Sequence, residues 1–595
     1  MLSAPATIGE EGSSTWPFPL AWHDVKREMR PIHTNRWTRG LVILLALALL
    51  ATACGNDDSS TPASQQLPAQ EPTAAPAATE APAPTPDDKP TSVVIGLEQE
   101  LTNFNNLTAG DNLLAGRQVI RAVWPTCVRT MPDFSFEPYF CESLPTIIDE
   151  DPLVVEYRLR ADATWSDGTP VSSDDMVFYF ENCNDPEDDC ASTSGFDSAE
   201  LEVVDDKAVR LSWPEGQPFV EYILLFSGPF PPAHLGRDWS DGFRTDAGLG
   251  AGPYVVDEYN PGSDLTLVAN PTWFGEGPHI DEVTFRFISD VGNLPLALEN
   301  GEVDVIYPQP QVDLVAQING IGGVDSSITF GPTWEHITFN TATVPEEARR
   351  AIALALDREL IVTALMRPFS ESAQPLGNRI FMNGQAQYVD NTPAEFQQRD
   401  VAAARAVLEA AGWVLDGDVY AKDGRQLSLR IRTTGGNDRR EQFQELVQNQ
   451  LGEAGIRITI DNLPGGEIFG PVFGSTNDPA GPPGDFDLVI FAWVGGPLPA
   501  TSALQVFGTG SDSNPGAYVD VRVNDLLTEA TFTLDAARQA ELLNQADALM
   551  WETLPNTPVY QLPFFLAWND KILNIQDNPT LESFTWNLEE WALAN

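Results

Sequence analysis

Apolar and polar residues alternate in several short segments after residue 90, which is the pattern of strands that bury one face. Val155, Tyr157 and Leu159 alternate with polar neighbours in one such segment. The other predicted strands are DEVTFRF (281–287), LSLRIR (427–432), IRITI (456–460) and the almost continuously apolar FDLVIFAW (486–493).

Segments between these strands carry apolar residues three or four positions apart, which is the spacing of amphipathic helices. Pro345 is predicted to begin one helix whose apolar stripe runs to Ile361, and Asp400 is predicted to cap a second. Two more helices are predicted, one ending before Gly452 and one following Asp535. Strands that alternate with helices indicate an α/β protein.

An apolar run near the N-terminus, LVILLALALL (41–50), follows a basic stretch and precedes the small residues ATA and Cys54. The run is too short to span a hydrocarbon layer about 30 Å thick, and it suits the core of an export signal. The residues before Cys54 resemble the lipobox of bacterial lipoproteins, whose cysteine carries the lipid. We expect a signal peptide over residues 1–53, with Met29 as an alternative start, and lipidation of Cys54. An ordinary secretory signal with an incidental cysteine is the alternative interpretation.

The segment 54–90 is rich in proline and alanine and contains no aromatic residue. Such a composition cannot bury enough apolar surface to offset the entropy lost on folding, and its prolines favour extended conformations. We expect a disordered linker that holds the folded part, from residue 91 onward, away from the membrane.

The chain is strongly acidic, with 86 Asp and Glu against 33 Lys and Arg and a formal net charge of −53. Such a surface repels nucleic acid and anionic lipid, so nucleic acid is not an expected partner. The folded part has roughly 500 residues, which is enough for two or three lobes.

Four cysteines follow Cys54 along the chain, at Cys127, Cys141, Cys183 and Cys190. Outside the cytoplasm an even count indicates disulfides, and four cysteines allow three pairings. Proximity along the chain favours Cys127–Cys141 and Cys183–Cys190. The spacings are not those of a zinc site and no histidine lies nearby, so no metal or cofactor is expected.

Several motifs stand in the order found in family 5 extracytoplasmic solute-binding proteins, which are the oligopeptide, dipeptide and nickel receptors of ATP-driven bacterial importers. WSDGTP (165–170) with SSDDMVFYFE (172–181) resembles one signature of that family, and GAGPY (250–254) resembles another. The resemblance covers nearly all of residues 92–595. Further matches are LENGEVDVIY (298–307), FNTATVPEEARRAIALALDRELI (339–361), DFDLVIFAW (485–493), NDLLTEA (524–530) and LPNTPVY (554–560).

This resemblance implies an α/β protein with the two-lobed periplasmic-binding-protein type II fold of the large, peptide-binding cluster. The two crossings between lobes place hinges near 335–340 and 554–560, and the lobes are expected to close on the ligand. The expected segments are 91–135, 250–335 and 556–595 for lobe one, 136–249 for a subdomain inserted in lobe one, and 336–555 for lobe two.

The function implied by the resemblance is that of a lipid-anchored extracytoplasmic receptor. It is expected to be a monomer that delivers peptides or peptide-like solutes to the permease and ATPase subunits of an ABC importer. Two alternatives stay open on the same fold: a receptor for a non-peptide solute such as a sugar, and an envelope regulator or solute sensor that does not serve transport.

Candidate ligand contacts come from loops that are expected to face the cleft between the lobes. Asn103, Phe104 and Asn105 follow the first strand, and Trp334 lies beside the first hinge. The resemblance implies ligand contact at the first three positions, for which a simple turn is the alternative. Trp334 is expected to stack on the ligand, and a role in the core is its alternative.

Trp493 ends the strand FDLVIFAW, at the position of the W-x-G/A-D motif of the family. In that motif the tryptophan lines the cleft and the aspartate binds the N-terminal ammonium of a peptide. The chain reads WVGG here, so Gly495 precedes Gly496, and Gly496 stands where the aspartate would be. A buried ammonium needs a paired charge, so the cargo is either a peptide held in another way or a different polar solute.

The sequence contains no GxSxG nucleophile elbow, no HExxH helix and no P-loop, so an enzyme is not expected. A pair of carboxylates would suffice for a glycosidase, and the many acidic residues leave that class open on composition alone. The family resemblance favours a binding protein that performs no chemistry.

We expect Cys54→Ala to release the protein from membranes, because the thiol that carries the lipid is removed. The measurement is the distribution of the protein between membrane and soluble fractions of the expressing cells. Ser60→Ala, in the adjacent linker, is the control and should leave the protein attached. Retention of the Cys54→Ala protein in the membrane fraction would contradict the lipobox interpretation.

Overall fold

The computed structural model describes residues 90–594 apart from 109–110, 186–189, 465–467, 469–471, 473–483 and 512. The predicted signal peptide, Cys54 and nearly all of the predicted linker lie outside the described residues. Within the described ranges, no helix combines the length and the apolar character needed to cross a membrane.

The strands of the described residues are numbered here in chain order. They are β1 (Ser92–Leu97), β2 (Val128–Thr130), β3 (Phe136–Pro138), β4 (Thr146–Glu150), β5 (Leu153–Arg158), β6 (Glu200–Asp205), β7 (Ala208–Ser212), β8 (Tyr254–Asn260), β9 (Asp264–Ala269), β10 (Glu282–Phe287), β11 (Val305–Ile306), β12 (Val324–Phe339), β13 (Val414–Asp416), β14 (Val419–Lys422), β15 (Arg425–Gln426), β16 (Ser428–Arg432), β17 (Arg457–Ile460), β18 (Leu488–Val494), β19 (Asn556–Asn569), β20 (Ile572–Leu573) and β21 (Ala592–Leu593).

The α-helices are numbered in the same way. They are α1 (Leu114–Ile120), α2 (Ser173–Asn184), α3 (Leu294–Glu299), α4 (Val312–Ile318), α5 (Glu346–Ala355), α6 (Arg358–Leu365), α7 (Val401–Ala410), α8 (Asp438–Glu453), α9 (Ala500–Phe507), α10 (Val521–Ala530) and α11 (Ala536–Thr553).

Ten strands form one mixed sheet in the order β17-β16-β18-β12-β19-β11-β1-β10-β9-β8. Its centre is the antiparallel pair β12 and β19, which are 16 and 14 residues long. β18 pairs with the second half of β12, and β11 pairs with the end of β19. We call β11-β1-β10-β9-β8, together with α1 and the segment 580–582, the first arm, and we call β18-β16-β17, together with the chain that follows β18, the second arm. The two arms therefore attach at opposite ends of the central pair.

The register of the central pair shifts between Phe330 and Trp334, where Gly331 and Pro332 interrupt β12. Proline has no backbone N–H to donate to a ladder, so it weakens the pairing of a central strand. The side chain of Gln561 on β19 spans part of the gap by donating its Nε2 to the Gly331 carbonyl at 2.9 Å. The register thus changes between the parts of the central pair to which the two arms attach.

Each arm has its own apolar core. The core beside the first arm contains side chains of β1, β9, β10 and α2 and continues into a separate four-stranded sheet, β4-β5-β7-β6. The core beside the second arm contains side chains of β16, β17, β18 and α5 to α8. A third core packs α9, α10 and α11 against the segment 376–382. The predicted α/β class is confirmed, and the alternating residues Val155, Tyr157 and Leu159 are all buried.

The helix predicted from Pro345 to Ile361 is in fact two helices. α5 ends at Ala355, and Asp357 caps α6 by accepting the Leu360 amide at 2.8 Å. The single-helix prediction is wrong because both helices bury an apolar face in the same core, so the apolar stripe continues across the turn. The predicted helix before Gly452 likewise extends one residue past it, to Glu453. The predicted cap is confirmed at Asp400, which accepts the Ala403 amide at 2.8 Å. The helix predicted to follow Asp535 is α11, and Asp535 caps it by accepting the Arg538 amide at 2.7 Å.

Both disulfides favoured by proximity are present. The Cα atoms of Cys127 and Cys141 lie 4.7 Å apart, and those of Cys183 and Cys190 lie 5.1 Å apart. The first bridge joins β2 to the segment after β3, and the second joins the end of α2 to the loop that follows it. Both stabilise the region between β1 and β8.

A fully buried ion pair joins the segment before α7 to α11. Arg379 Nη1 lies 3.1 Å from Asp547 Oδ1, and neither side chain is exposed. Asn391 Nδ2 donates to the second carboxylate oxygen at 2.9 Å. Arg379 also donates its Nε and Nη2 to the Asn556 side chain and carbonyl, at 2.8 and 2.9 Å, so the pair also fixes the start of β19.

We expect Asp547→Ala to lower the free energy of unfolding by about 3–5 kcal/mol, because it leaves the Arg379 guanidinium buried without a counter-charge. Glu541→Ala on the same helix is the control, since its pair with Arg538 is roughly half exposed and screened by solvent, so its removal should change the stability far less. Urea denaturation followed by circular dichroism compares the two variants. Equal small losses would contradict the importance of the buried pair.

Candidate ligand-binding cleft

A cavity of about 220 Å³ is enclosed by residues from both sides of the central strand pair. The first arm contributes α1 and the C-terminal segment 580–582, and the second arm contributes the chain that follows β18. The inserted segment between β5 and β8 supplies further wall. Its lining residues include Leu107, Arg117, Arg121, Tyr179, Pro332, Gly495, Gly496, Pro497 and Glu582.

Gly495 and Gly496 form the wall of this cavity on the side of the second arm. The Gly495 amide donates to the Pro332 carbonyl at 2.8 Å, which fixes this turn to the interruption in β12. The Gly496 carbonyl accepts a hydrogen bond from Gln385 Nε2 at 3.2 Å. A Cβ added to Gly496 would meet no atom closer than 3.9 Å, and its φ lies outside the left-handed region. The backbone therefore does not require glycine at 496.

Trp334 and Trp493 face each other across the pairing of β12 and β18. Trp334 is 2% exposed, whereas Trp493 is half-buried. The His336 ring lies 4.8 Å from the Trp334 ring and 6.3 Å from the Trp493 ring. Both tryptophans line a small neighbouring cavity of about 30 Å³ that also contains Gly495. The structure thus brings Trp334, Trp493 and Gly495 together, and their contact with ligand stays a prediction.

Asn103, Phe104 and Asn105 are completely buried in the loop after β1. Asn103 Nδ2 donates to the Ser240 carbonyl at 2.7 Å, and Asn105 Nδ2 donates to the Trp239 carbonyl at 2.8 Å. The described lining of the large cavity does not include these three residues. Their hydrogen bonds fix the loop that leads into the cavity wall, and direct ligand contact by them stays a prediction.

Three charged residues of the cavity wall are absent from the sequence-based candidates. Arg121 forms a buried ion pair with Glu582, and the other carboxylate oxygen of Glu582 accepts the Thr130 amide at 3.2 Å. Arg117 donates its Nε and Nη2 to Asn112 Oδ1 at 3.0 and 2.7 Å. Burial, together with the charge of Arg121, lowers the pKa of Arg117 to about 10.

The spacing of the two arginines is the one part of this arrangement that could have been predicted from the sequence. Residues four positions apart share one face of a helix, so the spacing of Arg117 and Arg121 places both on one side of α1. Glu582 carried no such signal, because it lies 461 positions from Arg121 along the chain. Among the described residues, no group of three or more His, Cys, Asp and Glu side chains is arranged to hold a metal ion.

Residues 135–515 match the family model for the middle region of bacterial extracellular solute-binding proteins, family 5. Over 490 residues the chain is 27% identical to the oligopeptide-binding protein OppA of Mycobacterium bovis, covering 79% of this chain and 80% of that protein. It is 23% identical over 509 residues to an uncharacterized lipoprotein of Mycobacterium leprae, covering 76% of this chain and 84% of that protein.

Among solved structures, the fold is similar to that of the periplasmic EDTA-binding protein EppA, with a TM-score of 0.76 and 28% identity. The similarity covers 85% of this chain and 97% of that chain. The expected two-lobed type II periplasmic-binding-protein fold is thereby confirmed. The matched model covers more than half of the chain and agrees with the order of the sequence motifs, and the chain belongs to family 5 of the bacterial extracellular solute-binding proteins.

Proposed function

We propose that this protein is a lipid-anchored extracytoplasmic receptor that binds a peptide or peptide-like solute and delivers it to an ABC importer. The observation that supports this proposal best is the cavity of about 220 Å³, because its wall combines residues of both arms. A solute held there contacts α1 and the segment 580–582 on one side and Gly495–Pro497 on the other. The name of the Mycobacterium leprae relative supports the lipid anchor.

Closure of the two lobes is the step by which such a receptor signals that it is occupied. A ligand that contacts both lobes only in the closed state stabilises that state by its differential affinity. We place the hinges in the two long strands, near 335–340 and 554–560, next to the register shifts of the β12–β19 pair. The lobe boundaries are those expected from the sequence, with lobe one at 91–335 and 556–595 and lobe two at 336–555.

The cargo is proposed from the names of the relatives and from the charged side chains in the wall of the cleft. OppA is named for oligopeptides and EppA for EDTA, which both carry carboxylate groups. The cleft supplies Arg117, Arg121 and Glu582, and Gly495 and Gly496 form its wall on the other side. Binding and release suffice for this role, so we propose no chemical step.

The experiment that tests this function is native mass spectrometry of the mature protein purified in mild detergent. The bound material is then released by denaturation and identified. We expect a series of short peptides. A single non-peptide solute such as a sugar would contradict the peptide part of the proposal. An empty protein that no peptide library stabilises against heat would contradict the whole proposal.

We expect Trp493→Ala to weaken binding of the co-purified cargo by about 1–3 kcal/mol, because a large aromatic contact at a binding hot spot is removed. Isothermal titration calorimetry measures the affinity. Trp413→Ala is the control, since Trp413 lies in the same lobe and hydrogen-bonds Glu347 away from the cleft. Unchanged affinity in a folded Trp493→Ala protein would remove Trp493 from the site.

We expect Gly496→Asp to fold with a free energy of unfolding within about 1 kcal/mol of the wild type, because its Cβ has open space. The new carboxylate should favour peptides with a free N-terminal ammonium over their N-acetylated forms. Gly252→Asp is the contrasting variant, because its Cβ would overlap the carbonyl of Ala122, and overpacking costs about 1–3 kcal/mol. Thermal melts and calorimetry compare them. No preference for the free ammonium in Gly496→Asp would place residue 496 away from the bound terminus.

A further inference from the structure

The charged side chains in the described lining of the large cavity are Arg117, Arg121 and Glu582. Two guanidinium groups and one carboxylate give this lining a local charge of opposite sign to the −53 of the whole chain. Electrostatic fields in a cleft are set by the groups that line it, because the low-dielectric walls focus them. The cleft therefore attracts anions, although the surface of the protein as a whole repels them.

Arg121 and Glu582 neutralise each other. Their side chains form an ion pair and are only 7% and 4% exposed. The second oxygen of Glu582 accepts the Thr130 amide at 3.2 Å. Both oxygens of this carboxylate are thus occupied by the fold, so Glu582 offers little to a cationic ligand.

Arg117 is the charge that stays uncompensated. Its Nε and Nη2 donate to Asn112 Oδ1, which is a neutral acceptor, and neither bond uses Nη1. Within the described ranges of the chain, no carboxylate forms an ion pair with this guanidinium. Burial and the neighbouring Arg121 lower its pKa only to about 10, so the group is charged at neutral pH.

The rest of the wall is compatible with an anion. Tyr179 is 8% exposed in the cavity lining, and burial raises its pKa to about 12, so its hydroxyl keeps its proton. On the opposite side Gly495 and Gly496 present no side chain, and therefore no negative charge. A small anionic group can approach Arg117 without meeting an unpaired carboxylate of the described lining.

We infer that the cargo carries a carboxylate and that Arg117 binds this group in the cleft. This inference rests on the proposed function, because it names the chemistry of the solute that the same cleft holds. A guanidinium matches a carboxylate with paired N–H donors and keeps its charge at all physiological pH values, which suits it to this role. Because Arg117 has no carboxylate partner in the described lining and Glu582 is already paired, the cleft binds an acidic end of the solute in preference to a basic one.

The test uses one library of short N-acetylated peptides prepared in two forms, with free C-terminal carboxylates and with C-terminal amides. The mature protein in detergent should bind the carboxylate form about tenfold to a hundredfold more tightly, as expected for a hydrogen-bonded charge. Citrate serves as a carboxylate probe that is not a peptide. Equal binding of the two peptide forms would overturn the inference and leave the peptide receptor intact.

Three variants test whether Arg117 causes the preference for the carboxylate form. Arg117→Gln should abolish the difference in affinity between the carboxylate and amide forms of the peptides. Arg117→Lys should retain part of this difference because the charge is kept. Arg425→Gln removes one exposed positive charge from the second lobe, and this variant should keep the full difference in affinity. A preference that survives Arg117→Gln would overturn the inference.

Citrate separates the failure of the inference from the failure of the proposed function. Citrate binding that Arg117→Gln abolishes, with no binding of either peptide form, would support the carboxylate site and overturn the peptide part of the proposed function. No binding of any of the three probes to the wild-type protein would overturn both.

Discussion

The antiparallel pairing of β12 with β19 is the constraint on which the rest of the molecule depends. These two strands are the centre of the large sheet, and each arm attaches to a different end of the pair. The interruption at Gly331 and Pro332 lies between the parts of the pair to which the arms attach, and the Pro332 carbonyl holds Gly495 at the cavity wall. The buried Glu335 on β12 accepts Arg440 Nε of α8 at 2.8 Å, so the second core is fixed to the same strand. Fold and cleft therefore have a common structural origin.

Charge acts at two scales in this protein. The net charge of −53 belongs to the surface as a whole and opposes anionic partners at long range. Inside the cleft the relevant groups are Arg117 and the Arg121–Glu582 pair, which line the cavity. Salt screens the surface charge over about 10 Å, whereas buried groups are screened much less. An acidic solute-binding protein can therefore hold an acidic solute.

The sequence pointed to some residues of the cavity wall and missed others, and the reason differs from residue to residue. Gly495 and Gly496 were proposed from the motif at the end of the strand FDLVIFAW, and that strand end places them in the cavity wall. Asn103 and Asn105 were chosen on the same reasoning, but their side chains are turned into the fold by carbonyls more than 130 positions away. Periodicity and motif order report local structure, and they carry no information about which distant backbone a side chain meets.

The sequence by itself determined the family, the α/β class, the positions of five strands, the helix cap at Asp400 and the disulfide pairings favoured by proximity. These properties follow from local patterns, in which neighbours along the chain decide the outcome. Tertiary structure alone decided the break between α5 and α6, the shifted register of the central pair and the charge of the cleft. Each of these depends on contacts between segments far apart in sequence, as the meeting of Arg121 with Glu582 illustrates. Such contacts form only when the chain folds and brings these distant segments together.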